Sequence, residues 1–143
     1  MFEILVAFYR DEAGWPVNVD TENNLLSLTY QSNDDQWVFV ASVEVDLRIL
    51  TVFSRAPEAC PADRRQAMCE ALVRLNWGMT HGAFTMDMDD GEIRYQTGTD
   101  LAGHDLDAGI VQNTTNYNLV TMATYLPVLR QVIAGASADD AVS

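Results

Sequence analysis

NWGMTHGAFTMDMDDGEIRYQTG, residues Asn76–Gly98, is the stretch whose reading decides the fold. Phe84, Met86 and Met88 alternate with Thr85, Asp87 and Asp89, and Ile93, Tyr95 and Thr97 alternate with Arg94 and Gln96. A side-chain period of two is the mark of a half-buried strand. Asp90-Gly91 between the two runs carries the turn chemistry of a type I′ hairpin, which needs φ > 0 at both central residues. The expected register sets Asp89 opposite Glu92, Met88 opposite Ile93, Asp87 opposite Arg94 and Met86 opposite Tyr95. Asp87 and Arg94 would then form a cross-strand ion pair.

Upstream of the hairpin the period changes. Met68, Ala71, Leu72 and Leu75 share one helical face, Pro61 suits a first helical turn, and Asn76 or Gly78 ends the helix. Glu70 precedes Arg74 by four residues, as an intrahelical ion pair does. Earlier still, Leu25–Gln31, Gln36–Glu44 and Leu47–Ser54 read as three strands joined by short turns, an antiparallel meander. The middle one is apolar on both faces at its start, with Trp37, Phe39, Ala41 and Val43 against Val38 and Val40, as in an interior strand covered at least in part on both sides. Phe2, Leu5, Val6 and Tyr9 mark an N-terminal helix that Gly14-Trp15-Pro16 stops, with Trp15 folding back on the core. Val17–Asn24 reads as a polar connection.

Downstream, Thr99–Asp107 is a polar linker with Asp105 as a candidate N-cap. Gly109 and Asn113-Thr114-Thr115-Asn116 weaken the helical signal between Leu106 and Tyr117. Leu119, Met122, Leu126, Leu129 and Ile133 then recur at helical spacing. Pro127 inside that run predicts a kink or two abutting helices. Gly135 closes it, leaving residues 136–143 as a frayed acidic tail after a single domain of residues 1–135. The fold class is therefore α+β, in the order α-β-β-β-α-β-β-α, with an antiparallel five-stranded sheet packed against helices.

Among the 143 residues, 21 are Asp or Glu and 8 are Arg, with no Lys, for a net charge of −13. Phosphate neutralisation needs clustered cations, so this balance argues against nucleic acid as a partner. The N-terminus lacks the charge and cleavage pattern of a secretory signal, and no run is apolar enough to span a bilayer; the expected location is cytoplasmic. Cys60 and Cys69, nine residues apart on a helix, lie too far apart for a disulfide and should be free thiols.

The acidic run Asp87, Asp89, Asp90, Gly91 and Glu92 fails the calcium-loop pattern. Asp90 and Gly91 fall at positions 4 and 5 of that loop instead of 5 and 6, and Gly98 stands where the closing Glu belongs. His81 and His104 sit on polar loops without metal-pair spacing. No nucleophile elbow, dinucleotide fingerprint or phosphate loop occurs. No catalytic residue, cofactor or metal is expected.

The apolar stripes are the remaining candidates for function. Phe84, Met86, Met88 and Tyr95 on the hairpin, with Leu119, Met122 and Leu126 on the last helix, either pack on each other as core or present a partner-binding face. Methionine suits adaptable binding surfaces.

The ordered set of residues resembles the YbjN domain family, whose fold is like that of type III secretion chaperones. Phe53-Ser54 closes the third strand, and Ala56-Pro57 precedes the helix that ends at Asn76. Gly82-x-Phe84 opens the next strand, and Asp87 precedes Asp90-Gly91-Glu92-Ile93-Arg94-Tyr95. Tyr125-Leu126-Pro127-Val128-Leu129 runs on into Val132-Ile133-Ala134-Gly135. The resemblance covers about Phe2–Gly135. It implies a non-enzymatic regulatory module, sensory-transduction regulators being the family's description, that binds a protein or peptide segment, often as a homodimer. The alternative is a small-molecule or metal-responsive sensor, with a pocket between sheet and last helix lined by Trp37, Tyr30, Tyr95 or Trp77.

Overall fold

The computed structural model describes residues 1–143. In chain order the elements are α1 (Phe2–Ala7, continuing as a π-helical turn over Phe8–Glu12), β1 (Asn18–Asp20), β2 (Leu25–Ser32), β3 (Asp35–Glu44), β4 (Ile49–Arg55), α2 (Arg65–Trp77), β5 (Ala83–Met86), β6 (Ile93–Asp100), α3 (Ala108–Ile133) and α4 (Ala138–Val142). The strands form one antiparallel sheet in the order β1-β2-β3-β4-β6-β5.

The sheet has six strands rather than five. The extra one, β1, lies inside the stretch read as a polar connection and pairs Val19 with Leu26. Three residues of Asn-Val-Asp carry too little alternation to announce a strand; β2 imposes the extended form on them.

Alternation along β2, β3 and β4 buries one face. Leu26, Leu28, Trp37, Phe39, Ala41, Val43, Leu50 and Val52 point into the core. There they meet Leu5 and Tyr9 of α1, Met68 and Leu72 of α2, and Val111, Leu119, Met122, Leu126 and Leu129 of α3. Trp15 does fold back, its ring stacking at 5.9 Å from Tyr9. The opposite face of the sheet, expected to be covered in part, carries no helix. Leu25, Val38, Val40, Ile49 and Phe53 on that side are only half-buried.

α3 is one helix over Ala108–Ile133, not a weak segment followed by two abutting helices. It is capped by Asp107, whose Oδ1 accepts from the Ile110 N–H at 2.9 Å, and not by Asp105. The Asn-Thr run that lowers helix propensity is held by tertiary bonds. Thr115 pairs with the Tyr9 hydroxyl, Thr114 with Thr99, and Asn118 reaches β4 and β6. At the far end Arg130 bridges Asp35 and Glu58, both at 2.8 Å, tying α3 to the β2–β3 turn and to the segment before α2.

The C-terminal residues are docked, not frayed. Ser137 caps α4 by accepting from the Asp140 N–H, and Ala138 and Ala141 are buried. Asp139 faces Arg74 at 3.4 Å, and Arg74 also pairs with Glu70. Small side chains permit the close approach, which the acidity of the tail concealed.

Two buried phenols make stability depend on alkaline pH. Burial pushes the Tyr9 hydroxyl well above its ordinary value and Tyr95 up to about 12. Because the folded state holds these protons more tightly, their contribution is complete below the unfolded value of about 10. It is lost as pH rises through the folded value. Denaturant melts from neutral to strongly alkaline pH should show stability falling from about pH 10 upward, together with tyrosinate absorbance. Tyr95→Phe should flatten the part of that fall between about pH 10 and pH 12.

Candidate partner-binding surface

The hairpin at the centre of the sequence is built differently from its expected register. Phe84 faces Tyr95, Thr85 faces Arg94, and Met86 faces Ile93, a shift of two residues that leaves every side chain on its expected face. The connection is the six-residue loop Asp87–Glu92, closed by Asp87 N–H to Glu92 C=O and Gly91 N–H to Asp87 C=O. Only Gly91 of the Asp90-Gly91 pair has positive φ, so the turn is not type I′. Arg94 therefore pairs with Glu92 and not with Asp87, and its guanidinium lies 4.3 Å from the Phe53 ring centroid.

Two acidic side chains of the loop, Asp87 and Asp90, are engaged with its own backbone. Asp87 Oδ1 accepts from the Asp89 N–H and Asp90 Oδ1 from the Glu92 N–H, each at 2.8 Å. No group of three His, Cys, Asp or Glu side chains is placed to hold a metal ion. Both cysteines are free; Cys60 is buried, which pushes its thiol above the ordinary value, and Cys69 Sγ lies 3.3 Å from Met88 Sδ.

Of the seven residues singled out for partner binding, Phe84, Tyr95, Leu119, Met122 and Leu126 lie in the core, Met86 is half-buried and Met88 is 45% exposed. The sheet stripe and the α3 stripe cover each other, as two amphipathic elements of one domain do. A partner could reach those five only by displacing the protein's own α3. The space between sheet and α3, where the alternative reading placed a ligand pocket, is filled by the same side chains. Trp37 is buried in the core, and Trp77 lies outside it on the end of α2.

Two features of the sheet bear on how a partner segment could meet it. Its outer face presents Val40 opposite both Ser27 and Phe53, and Val38 opposite Thr29 and Arg55. This is a surface of β-branched and aromatic groups interleaved with hydroxyls and without a covering element. At one edge, β5 is closed: the Asn76 side chain donates to the Phe84 carbonyl at 2.9 Å and accepts from the Phe84 N–H at 2.8 Å. That amide takes the place an added strand would need, a known way of blunting an edge. The other edge is the three-residue β1. The sequence assigned Asn76 to a helix end; its role at the edge depends on the chain turning back through Gly82, whose φ is +73°.

The architecture, a six-stranded antiparallel sheet with helices on one face, is that of the type III secretion chaperones. The chain is similar to a chain of the ExsC–ExsE complex at 17% identity, covering 87% of this chain and 90% of that one with a TM-score of 0.62. It is similar to the HopA1–SchA chaperone–effector complex at 13% identity, 87% and 91% coverage, and a TM-score of 0.58. The Yersinia pestis type III secretion chaperone SycH, in complex with a YscM2 fragment, aligns at 15% identity, 88% and 99% coverage, and a TM-score of 0.55. At these identities the likeness establishes the fold. The chain belongs to the YbjN family, described as "Putative bacterial sensory transduction regulator", which it matches over residues 5–131. No curated protein matches it. No helix is long and apolar enough to cross a membrane.

Proposed function

We propose that this protein is a non-enzymatic regulatory module that holds a segment of a partner protein against the open face of its sheet. The observation that carries this is the uncovered outer face, where Leu25, Val38, Val40, Ile49 and Phe53 stay half-exposed while the inner face is completely packed. Burying such residues is worth about 25 cal/mol per Å² of apolar surface removed from water, and the interleaved Ser and Thr hydroxyls can bond a polar backbone. Closure of the β5 edge by Asn76 supports binding across the face over strand addition at that edge. The similar structures, solved with bound partners, support a protein-binding role. A net charge of −13 favours a basic segment by steering its approach.

Selection from a library of basic, amphipathic peptides tests this, followed by titration against wild type and Val40→Gln. Bound peptides should lose about tenfold or more in affinity on Val40→Gln, with melting temperature little changed, because the residue already touches solvent. Peptides that bind the variant as well as the wild type, or no binding peptide at all, would sink the reading.

A further inference from the structure

The outward side of α3 is polar but almost uncharged. In a chain of which 20% is charged, the 26 residues of α3 include one charged side chain, Arg130, already engaged by Asp35 and Glu58. A solvated helix face ordinarily bears charged residues. Thr114, Thr115 and Asn118 spend their polar groups on the fold's own network, whereas Gln112, Asn113 and Asn116 are exposed and outside it. Two hollows lie along this side and meet at Asn116. The larger, about 640 Å³, runs between α3 and the Gly78–Thr80 segment and has no charged residue in its lining. The smaller, about 400 Å³, lies against Phe8 and Trp15, with Glu12 as its single charged residue.

The aromatic rings of these hollows are braced by neighbouring rings. Tyr117 meets His81 edge-on at 5.2 Å, and Tyr125 meets Phe84 edge-on at 6.0 Å. Trp15 stacks on Tyr9 at 5.9 Å and meets Tyr30 at 6.1 Å. Rings held in place before a ligand arrives lose little freedom when it binds. Charge then narrows the ligand. A cation finds no carboxylate in the larger hollow, and an anion finds no arginine there and is repelled by the net charge of −13. A wholly apolar ligand would strip water from Asn113 and Asn116 and return no hydrogen bond. A peptide is served better by a sheet edge or a continuous apolar groove, and this side of α3 is neither. A neutral sugar meets every condition. Its C–H face packs on the electron-rich face of an aromatic ring, and its rim of hydroxyls pairs with side-chain amides, which both donate and accept. Two hollows joined at one residue have room for more than one such ring.

We infer that the outward side of α3 binds a neutral oligosaccharide. Tyr117 and Tyr125 receive sugar rings in the larger hollow, Trp15 receives one in the smaller, and Asn116 bonds the hydroxyls where the two meet. The site uses no residue of the open sheet surface, so it is independent of the proposed segment-binding face.

Isothermal titration of the full chain against glucose, galactose and N-acetylglucosamine saccharides, from monomers to hexamers, tests the inference. Uronic-acid and glucosamine oligomers serve as charged counterparts. A neutral oligosaccharide should bind and shift the tryptophan fluorescence through Trp15. Its affinity should rise about tenfold or more from monomer to trimer, as the second hollow fills. Tyr117→Ala and Asn116→Ala should each weaken binding by about tenfold or more with melting temperature little changed, because both side chains are exposed. Tyr117→Trp keeps a flat ring and should retain binding, and Val40→Gln on the sheet face should bind the saccharide as wild type does. A panel in which no neutral saccharide binds overturns the inference. So does a preference for the charged oligomers, or binding that survives both alanine variants. Peptide binding to the sheet face is scored separately through Val40→Gln, so either reading can fail without the other.

Discussion

Asn118→Leu should cost about 3 kcal/mol of folding stability, although leucine is similar in size and a better helix former. Asn118 is completely buried on α3. Its Oδ1 accepts from Ser54 Oγ at 2.6 Å, and its Nδ2 lies 3.0 Å from the Tyr95 carbonyl, 3.3 Å from the Val52 carbonyl and 3.3 Å from Thr97 Oγ1. One amide thus fixes the height of the helix on strands β4 and β6. Leucine would leave the Ser54 hydroxyl buried without a partner, and an unmade buried hydrogen bond costs more than a made one contributes. Urea melts should show the loss in midpoint with the slope unchanged. Gln131→Leu, on the exposed side of the same helix, should stay within about 0.5 kcal/mol of wild type. Adding Ser54→Ala to Asn118→Leu should recover part of the loss, because the stranded hydroxyl goes with it. Asn118→Asp adds a pH test. A buried carboxyl facing two carbonyls has its folded-state pKa raised, so the variant should be most stable below about pH 4 and weaken as pH rises above that unfolded value. An Asn118→Leu protein as stable as wild type would show that apolar packing alone sets the helix position.

That network explains which parts of the molecule could be read in advance. Repeating patterns gave the hairpin strands, the meander, α2 and the second half of α3, because periods of 2 and 3.6 are set locally by backbone geometry. The first half of α3 looked weak because Asn113–Asn116 have poor helix propensity; the bonds of Thr114, Thr115 and Asn118 that offset it reach residues 9, 54, 97 and 99. Such partners have no signature in the segment itself. The apolar stripes are legible in the sequence, but a stripe does not say what covers it. Phe84, Tyr95, Leu119 and Met122 all lie inside one core. What stays outside was signalled by something subtler, the near absence of charge along α3. Asn76 at the β5 edge had no local signal, since its bonds to Phe84 depend on how Gly82 turns the chain.

The second large effect belongs to the glycine of the hairpin. Gly91→Ala should destabilise the fold by about 3–5 kcal/mol, a large share of the roughly 5–15 kcal/mol of a typical domain. Two demands coincide at this position. Its φ of +81° strains any residue with a Cβ, at about 1–2 kcal/mol. The second is contact: a Cβ built there would sit 2.1 Å from the Cys60 carbonyl oxygen, a backbone atom that cannot rotate away. The loop is pressed onto the start of the α2 segment by the Cys60 N–H to Gly91 C=O bond at 2.8 Å, and by Arg65, which donates to the carbonyls of Cys60, Met88 and Asp89. Alanine must push the loop off that seat and lose those bonds. Gly103→Ala separates the two demands, because Gly103 has a similar φ of +77° with nothing within 4 Å of its would-be Cβ. It should cost only the backbone strain, about 1–2 kcal/mol. If the two variants melt together, the contact with Cys60 contributes nothing and turn conformation alone requires Gly91. If Gly91→Ala melts roughly 10 °C below Gly103→Ala, the glycine is there to let the hairpin loop lie on the backbone at Cys60.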